Sequence, residues 1–208
     1  MIMFEYISAH PLVGLALVLL IILTVFVWFK AIQSGKKRSA ERERIIADLE
    51  KEKALRNEFR HVDETTFAEG KDDYRLVTGM CANVQMSIEK KTDMTAAFNE
   101  LSEVKRFIYA LGYIFEDGKV SLSNFFRSNG EPLLSTANEA VKSIIGGEYA
   151  ELFTKAFSMF DENNEEVSVI ESEVEKFDSE YKSMFEKDGK EIYKKAADYV
   201  RENKTEFI

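Results

Sequence analysis

The clearest evidence for the fold is the stretch Ile170-Glu-Ser-Glu-Val174-Glu-Lys-Phe177-Asp-Ser-Glu-Tyr181-Lys-Ser-Met-Phe185. Its large apolar residues recur at steps of four and three residues, which places them on one face of an α-helix. We predict a helix over residues 165–186 that buries this face and exposes the carboxylates on either side of it. Such a pattern favours a bundle of amphipathic helices over a sheet.

The rest of the chain after Lys71 has the same character. A second apolar stripe is formed by Ala96, Ala97, Leu101, Val104, Phe107, Ile108, Leu111 and Phe115. Further helices are predicted at 71–91, 94–115, 120–128, 132–145, 148–160 and 189–204. Gly146-Gly147 should end one of them, because glycine adopts the left-handed conformation of a C-cap. Residues 71–208 are therefore predicted to form an acidic all-α domain whose core the 16 Phe and 8 Tyr of the chain help to fill.

Before this body lies a long apolar segment. Residues 6–29 contain no Asp, Glu, Lys or Arg. A helix of this length measures roughly 36 Å, which is enough to span a bilayer with some tilt. A cleaved signal peptide would need a basic start, whereas residues 1–9 contain Glu5 and no Lys or Arg. We therefore predict that residues 1–35 form a transmembrane anchor.

The charges beside this segment predict its orientation. No basic residue precedes it, whereas a cluster follows it: Lys30, Lys36, Lys37, Arg38, Arg42 and Arg44. Positive residues remain on the cytoplasmic side of a membrane. The sequence therefore predicts a single-pass protein of the cell membrane, with its N-terminus outside and its C-terminal domain in the cytoplasm.

Residues 36–70 are predicted to form a basic helical neck and a linker. Nine basic and six acidic residues give 36–60 a net charge of +3, whereas 61–208 has a net charge of −12. The apolar residues of the neck do not sustain a heptad repeat, so we expect a monomer or a weak dimer through the neck. The acidic balance of the whole chain, −9, argues against direct nucleic-acid binding.

Few residues are available for catalysis or metal binding. The chain has one Cys and two His, which excludes an internal disulfide and a Cys/His zinc site. His10 lies in the apolar segment and His61 in the linker, so neither is expected to activate Cys81. The acidic run at 161–166 lacks the glycine and the closing glutamate of an EF-hand loop. We predict no catalytic residue, no metal site and no cofactor.

A series of short motifs follows toward the C-terminus: Asn124-Phe-Phe-Arg-Ser-Asn-Gly130, Ile144-Ile-Gly-Gly147, a helix with Ala156 and Phe160, Phe177-Asp-Ser-Glu-Tyr181, and Tyr199-Val-Arg-Glu-Asn203 followed by Phe207. In this order they resemble the C-terminal helical domain of the DNA-mimic protein family, over about residues 115–208. The chain departs from the family pattern at Asp117-Gly118-Lys119, where the family has Asn-Gly-Gly, and at Arg127, where it has Asn. The resemblance implies an all-α bundle that binds a DNA-binding regulator through an acidic surface.

Two surfaces are candidates for binding a partner. One is the acidic helix, because nine acidic residues and one Lys give residues 161–180 a net charge of −8. The other is the turn at 125–130, which carries an aromatic pair. The candidate partner-binding residues are Glu166, Glu171, Glu173, Glu175, Asp178, Glu180, Phe125, Phe126, Asn129 and Gly130.

The predicted function is that of a membrane-anchored, non-enzymatic protein-interaction module. It would present an acidic helical face to a protein partner, with a basic or DNA-binding protein as the candidate. Two alternatives stay open: an enzyme with an unrecognised carboxylate site, and a purely structural membrane anchor. An enzyme should gather carboxylates of shifted pKa in a concave pocket, whereas a binding module should expose its carboxylates on a convex face.

Overall fold

The computed structural model describes residues 42–68, 70–118, 121–160 and 171–208, with backbone only for Glu171 and Ser172. Every regular element in these ranges is helical, and none of the described residues forms a strand. The all-α prediction is therefore confirmed for the described residues. The chain divides after Lys53 into two units, of which the second is Ala54–Ile208.

Of the first unit, only residues 42–53 are described, and all of them are helical and exposed. Within the described residues, no helix is long and apolar enough to cross a membrane. The predicted anchor, residues 1–35, lies outside the described residues.

The second unit begins with helical residues 54–58 and a 3-10 turn at Glu64–Phe67. Seven α-helices follow within its described residues: α1 Asp73–Ile88, α2 Met94–Asn99, α3 Glu103–Asp117, α4 Leu122–Ser128, α5 Leu133–Ala140, α6 Gly147–Met159 and α7 Glu171–Glu202. A π-helical turn, Val141–Ile145, continues α5, and a 3-10 turn, Lys204–Glu206, follows α7.

Helix α3 lies at the centre of the bundle, and α1, α4, α5 and α7 pack around it. Its buried residues alternate large aliphatic and aromatic side chains with Ala110 and Gly112. A Cβ atom on Gly112 would lie 2.3 Å from the Cβ of Cys81, so the glycine allows α1 and α3 to approach closely. The prediction that Cys81 is a small buried residue is confirmed.

The residues between the first unit and α1 differ from the predicted neck and linker. Phe59 and Phe67 are buried in the same core as α3 and α7. The Phe59 ring packs directly against Gly79, because a Cβ atom added to Gly79 would lie only 2.3 Å from the ring. The Phe59 carbonyl accepts a 2.7 Å hydrogen bond from Asn83 Nδ2. Residues 54–68 and 70 belong to the same unit as the helices that follow them, whereas the sequence predicts that the all-α domain begins at Lys71.

Three predicted helices differ from the observed ones in their division. The predicted helix 94–115 is broken into α2 and α3, because Ser102 is extended (φ −60°, ψ 155°) and begins a new helix. The predicted helices 165–186 and 189–204 are instead one helix from Glu171 onward, since Gly189 continues it. A glycine inside a helix costs about 1 kcal/mol, which packing readily offsets. Gly189 is buried, and the Phe185 ring, one turn earlier on the same helix, lies 3.2 Å from the position that a Cβ on Gly189 would take.

The predicted glycine stop after α5 is confirmed. Gly146 has a φ of +66°, and its N–H donates to the Val141 carbonyl at 2.9 Å. Lys195 Nζ donates to the Ile145 carbonyl at 3.0 Å, which satisfies a helix-end acceptor with a positive charge. This contact fixes the end of the π-helical turn against α7.

Candidate partner-binding surface

The first turns of α7 carry the predicted acidic face. Glu173, Glu175 and Glu180 are exposed there. Lys176 is the one basic residue between Glu171 and Glu180, and its Nζ lies 3.9 Å from Glu180 Oε1 in an exposed ion pair. Such a pair is weak in water, so both groups stay accessible to a partner. Glu166 and the side chain of Glu171 lie outside the described residues.

The opposite side of α7 holds this face in place. Val174 and Tyr181 are buried, and Phe177, Met184 and Phe185 are half-buried against the main core. These residues belong to the apolar stripe predicted from the sequence. Because they pack against α4 and α6, the exposed glutamates have a fixed direction relative to the body.

Asp178 has a structural role that the sequence analysis missed. Its side chain is half-buried, and it accepts hydrogen bonds from Ser123 N at 2.9 Å and from Ser123 Oγ at 2.5 Å. Hydrogen bonds to a carboxylate are stronger than neutral ones. Asp178 therefore joins α7 to the first turn of α4, and its prediction as a solvated contact residue is corrected.

The aromatic pair of the predicted turn surface is also part of the core. Phe125 is 0% exposed and Phe126 4%. The Phe126 ring stacks on Phe160 at a centroid distance of 5.2 Å, and both members of the pair contact the Phe153 ring. A partner could not reach either ring without opening the bundle, so their prediction as contact residues is corrected.

The rest of this turn closes the loop between α3 and α4. Asn129 Nδ2 donates to Asp117 Oδ2 and to the Phe125 carbonyl, both at 2.8 Å. Asn124 Nδ2 donates to the Asp117 carbonyl at 3.1 Å. Asn129 is half-buried, and Gly130 is exposed.

The buried tyrosines beneath the acidic face have perturbed acidity. Tyr149 and Tyr181 are buried, and their hydroxyl oxygens lie 3.4 Å apart. Burial raises the pKa of Tyr149 well above its usual value and also raises the pKa of Tyr181. Burial raises the pKa of the neighbouring Tyr193 to about 12. All three hydroxyls are therefore neutral at physiological pH.

These tyrosines predict a loss of stability in alkali. Each holds its proton more tightly in the folded chain than in the unfolded one, so stability is fully present below about pH 10 and falls above it. Each of Tyr149 and Tyr181 should lower the free energy of unfolding by about 1.4 kcal/mol per pH unit above that point. Denaturant titrations at several alkaline pH values would measure this slope. Tyr149→Phe, which keeps the ring, should have a shallower slope; an unchanged slope would contradict the assignment.

Asp63 and Asp198, both in the part of the chain that the structure describes, have lowered pKa values with local causes. The hydroxyl of Thr65 lowers the pKa of Asp63 at the start of the 3-10 turn. Lys194 lowers the pKa of Asp198 through a hydrogen bond within α7. Neither shift arises from carboxylates that converge on one point. Burial raises the pKa of the Cys81 thiol, which makes it a poor nucleophile.

Metal ligands are not assembled in the part of the chain that the structure describes, since no group of three His, Cys, Asp or Glu side chains is placed to hold an ion there. The site therefore consists of the three exposed glutamates of α7 with Gly130 as a separate exposed position.

No family model, curated protein or solved structure compared with the chain matches the chain.

Proposed function

We propose that this chain is a membrane-anchored protein-interaction module that presents the acidic face of α7 to a basic protein partner. The observation that carries the proposal is the exposure of Glu173 and Glu180 on one flank of α7, and of Glu175 on the other, while the apolar stripe between the flanks is buried in the core. Exposed carboxylates on this helix can attract a positively charged partner, and the helix does not have to become ordered when the partner binds. The apolar segment 6–29 and the basic residues after it support the membrane anchor and the cytoplasmic location of the body.

The resemblance to the DNA-mimic protein family would make the partner a DNA-binding protein. Duplex DNA presents closely spaced negative charges along its axis. With Asp178 bonded to Ser123, the two rows of carboxylates expected on this helix are unequal, because one row loses a member. Electrostatic attraction to a basic surface is therefore a better description of the proposed role than a copy of phosphate spacing.

Charge reversal tests the proposal. Glu173→Lys, Glu175→Lys and Glu180→Lys together should weaken partner capture by about 1–3 kcal/mol, which follows from about 0.2–1 kcal/mol per exposed ion pair. Capture by the native protein should also fall as salt shortens the screening length from about 10 Å at 0.1 M. The measurement is co-purification of partners from membranes at two salt concentrations, with circular dichroism as the test of folding.

The matched control reverses three other exposed glutamates, Glu100, Glu103 and Glu139, which lie on or beside α3 and α5. It changes the net charge of the chain by the same amount and should leave capture much less affected. If partner capture does not change with salt concentration and persists after charge reversal on α7, the acidic face is ruled out. The region around Gly130 is then the better candidate.

A further inference from the structure

The helix at residues 42–53 has an apolar face that no part of its own unit covers within the described residues. Arg42, Ile45, Ile46, Leu49 and Lys53 stand at positions i, i+3, i+4, i+7 and i+11, which share one side of an α-helix. Ile45, Ile46 and Leu49 are 54%, 55% and 59% exposed. We call these five residues the neck face.

The neck face needs a partner for physical reasons. Residues 42–53 are the first three described turns of a helix that continues to residue 58, and every one of them is exposed. Most helical stability in proteins comes from packing of an amphipathic side, which these exposed turns lack. The exposed ion pair between Lys51 Nζ and Asp48 Oδ1, at 3.2 Å, adds well under about 1 kcal/mol. Three large aliphatic residues within five positions also exceed the scattered apolar exposure that is ordinary for a surface.

A second copy of the chain fits this face poorly. In a parallel pair, Arg42 would meet Arg42 and Lys53 would meet Lys53. In an antiparallel pair centred on the aliphatic residues, Arg42 would meet Lys53 of the other copy. Both arrangements place like charges together at the edges of the apolar contact, and like charges disfavour helix pairing.

An anionic lipid surface fits the same face well. The face has three aliphatic side chains and two basic ones, and Glu50 and Glu52 lie at its two edges. Aliphatic side chains can enter the boundary between headgroups and acyl chains, while the long stems of Arg42 and Lys53 reach back to lipid phosphates. Residues 42–53 carry four basic and four acidic side chains, so the attraction comes from the two basic residues beside the apolar side chains and not from a net charge. A partly apolar helix of this kind can lie in the plane of a membrane surface.

We propose that residues 42–53 lie on the cytoplasmic membrane surface, with the neck face buried among anionic lipid headgroups. The proposal rests on the proposed anchor, because residues 30–41 would tether this helix within about 40 Å of the bilayer. Lys30, Lys36, Lys37 and Arg38 in that tether add to the attraction for anionic lipid. The neck would then set the distance of the acidic body from the membrane rather than act as a free spacer.

Tryptophan fluorescence can test the anchor and the neck separately, because Trp28 is the single Trp of the chain. The full chain is reconstituted into vesicles with brominated acyl chains, made of phosphatidylcholine with or without phosphatidylserine. Trp28 in the native chain reports on the anchor, and Trp28→Phe combined with Leu49→Trp reports on the neck. We expect the indole at position 49 to be quenched, with a blue-shifted emission, when phosphatidylserine is present.

Charge neutralisation gives the matched comparison. Arg42→Gln with Lys53→Gln should lower the ratio of docked to undocked neck by about tenfold or more, at about 1 kcal/mol of attraction per basic residue. Arg44→Gln with Lys51→Gln removes the same charge from the opposite side of the helix and should have a much smaller effect.

The outcomes separate the two proposals. A quenched Trp28 with an unquenched indole at position 49 would overturn the surface helix and leave the anchor intact. Quenching at position 49 without quenching of Trp28 would support the surface helix and remove the anchor, and no quenching at either position would overturn both. Quenching that needs a high protein-to-lipid ratio, together with cross-linking between chains, would show that a second copy covers the face and would overturn the proposal.

Discussion

Phe125→Ala should lower the free energy of unfolding by about 3–5 kcal/mol, the range typical of a truncated core aromatic. Its ring is completely buried and lies 5.3 Å from the Phe126 ring and 5.8 Å from the Phe153 ring, measured between centroids. Truncation removes contacts between α4 and α6 and leaves a cavity that the surrounding helices can fill only in part. Denaturant unfolding followed by circular dichroism would measure the loss.

The result also decides between two roles for this residue. If Phe125 recognised a partner, its removal would weaken binding and leave stability within about 0.5 kcal/mol of the native value, as for most surface substitutions. Phe177→Ala is a useful comparison on α7, since this half-buried ring should lose less than Phe125 does. An equal or larger loss at Phe177 would mean that the packing of α7 differs from the arrangement described above.

Periodicity in the sequence predicts most of the fold because each amphipathic helix has to bury its apolar face. The stripe through Val174 and Tyr181 is buried as expected, and the glycine after Ile145 ends its helix. Helix ends are harder to predict: Ser102 precedes α3 although the apolar pattern runs through it and its side chain makes no capping hydrogen bond. Gly189 illustrates the reverse, since a potential helix breaker is tolerated where a ring packs against it.

The sequence predicts the exposure of a candidate site residue only where that exposure follows from its position beside the apolar stripe. Glu173, Glu175 and Glu180 are exposed, as their positions beside the stripe indicate. Phe125 and Phe126 precede a glycine turn, and nothing local distinguishes a core pair from a surface pair; their burial depends on α6, which is distant in sequence. Tertiary contacts of this kind override local pattern.

Asp178 depends on a tertiary contact of the same kind. It stands four residues after Val174 and three before Tyr181, at the edge of the buried side of α7, as the exposed Glu173 does on the other edge. A carboxylate on such a side must find donors, since an unpaired buried charge is costly. Ser123, in the first turn of α4, where backbone N–H groups have no acceptor within the helix, supplies both of the donors observed.

Asp178→Ala should therefore destabilise the protein strongly, although the residue lies among exposed acidic neighbours. Two hydrogen bonds to a charged group are lost, each worth about 1.5–3 kcal/mol, so we expect a loss of roughly 3 kcal/mol or more. The Ser123 N–H is left without its acceptor at the first turn of α4, which loosens the contact between α4 and α7. Glu175→Ala, three residues earlier and exposed, should change stability by less than about 0.5 kcal/mol.

A double-mutant cycle isolates the bond between the two side chains. Ser123→Ala removes the hydroxyl and keeps the backbone N–H, so the coupling energy between Ser123→Ala and Asp178→Ala reports the Oγ contact alone. We expect a coupling of about 1 kcal/mol or more, with Asp178→Ala remaining costly in the Ser123→Ala background because the backbone bond is still lost. Additive effects would contradict the contact. If the Asp178→Ala variant is as stable as the native protein, Asp178 is again a candidate contact residue of the partner-binding face.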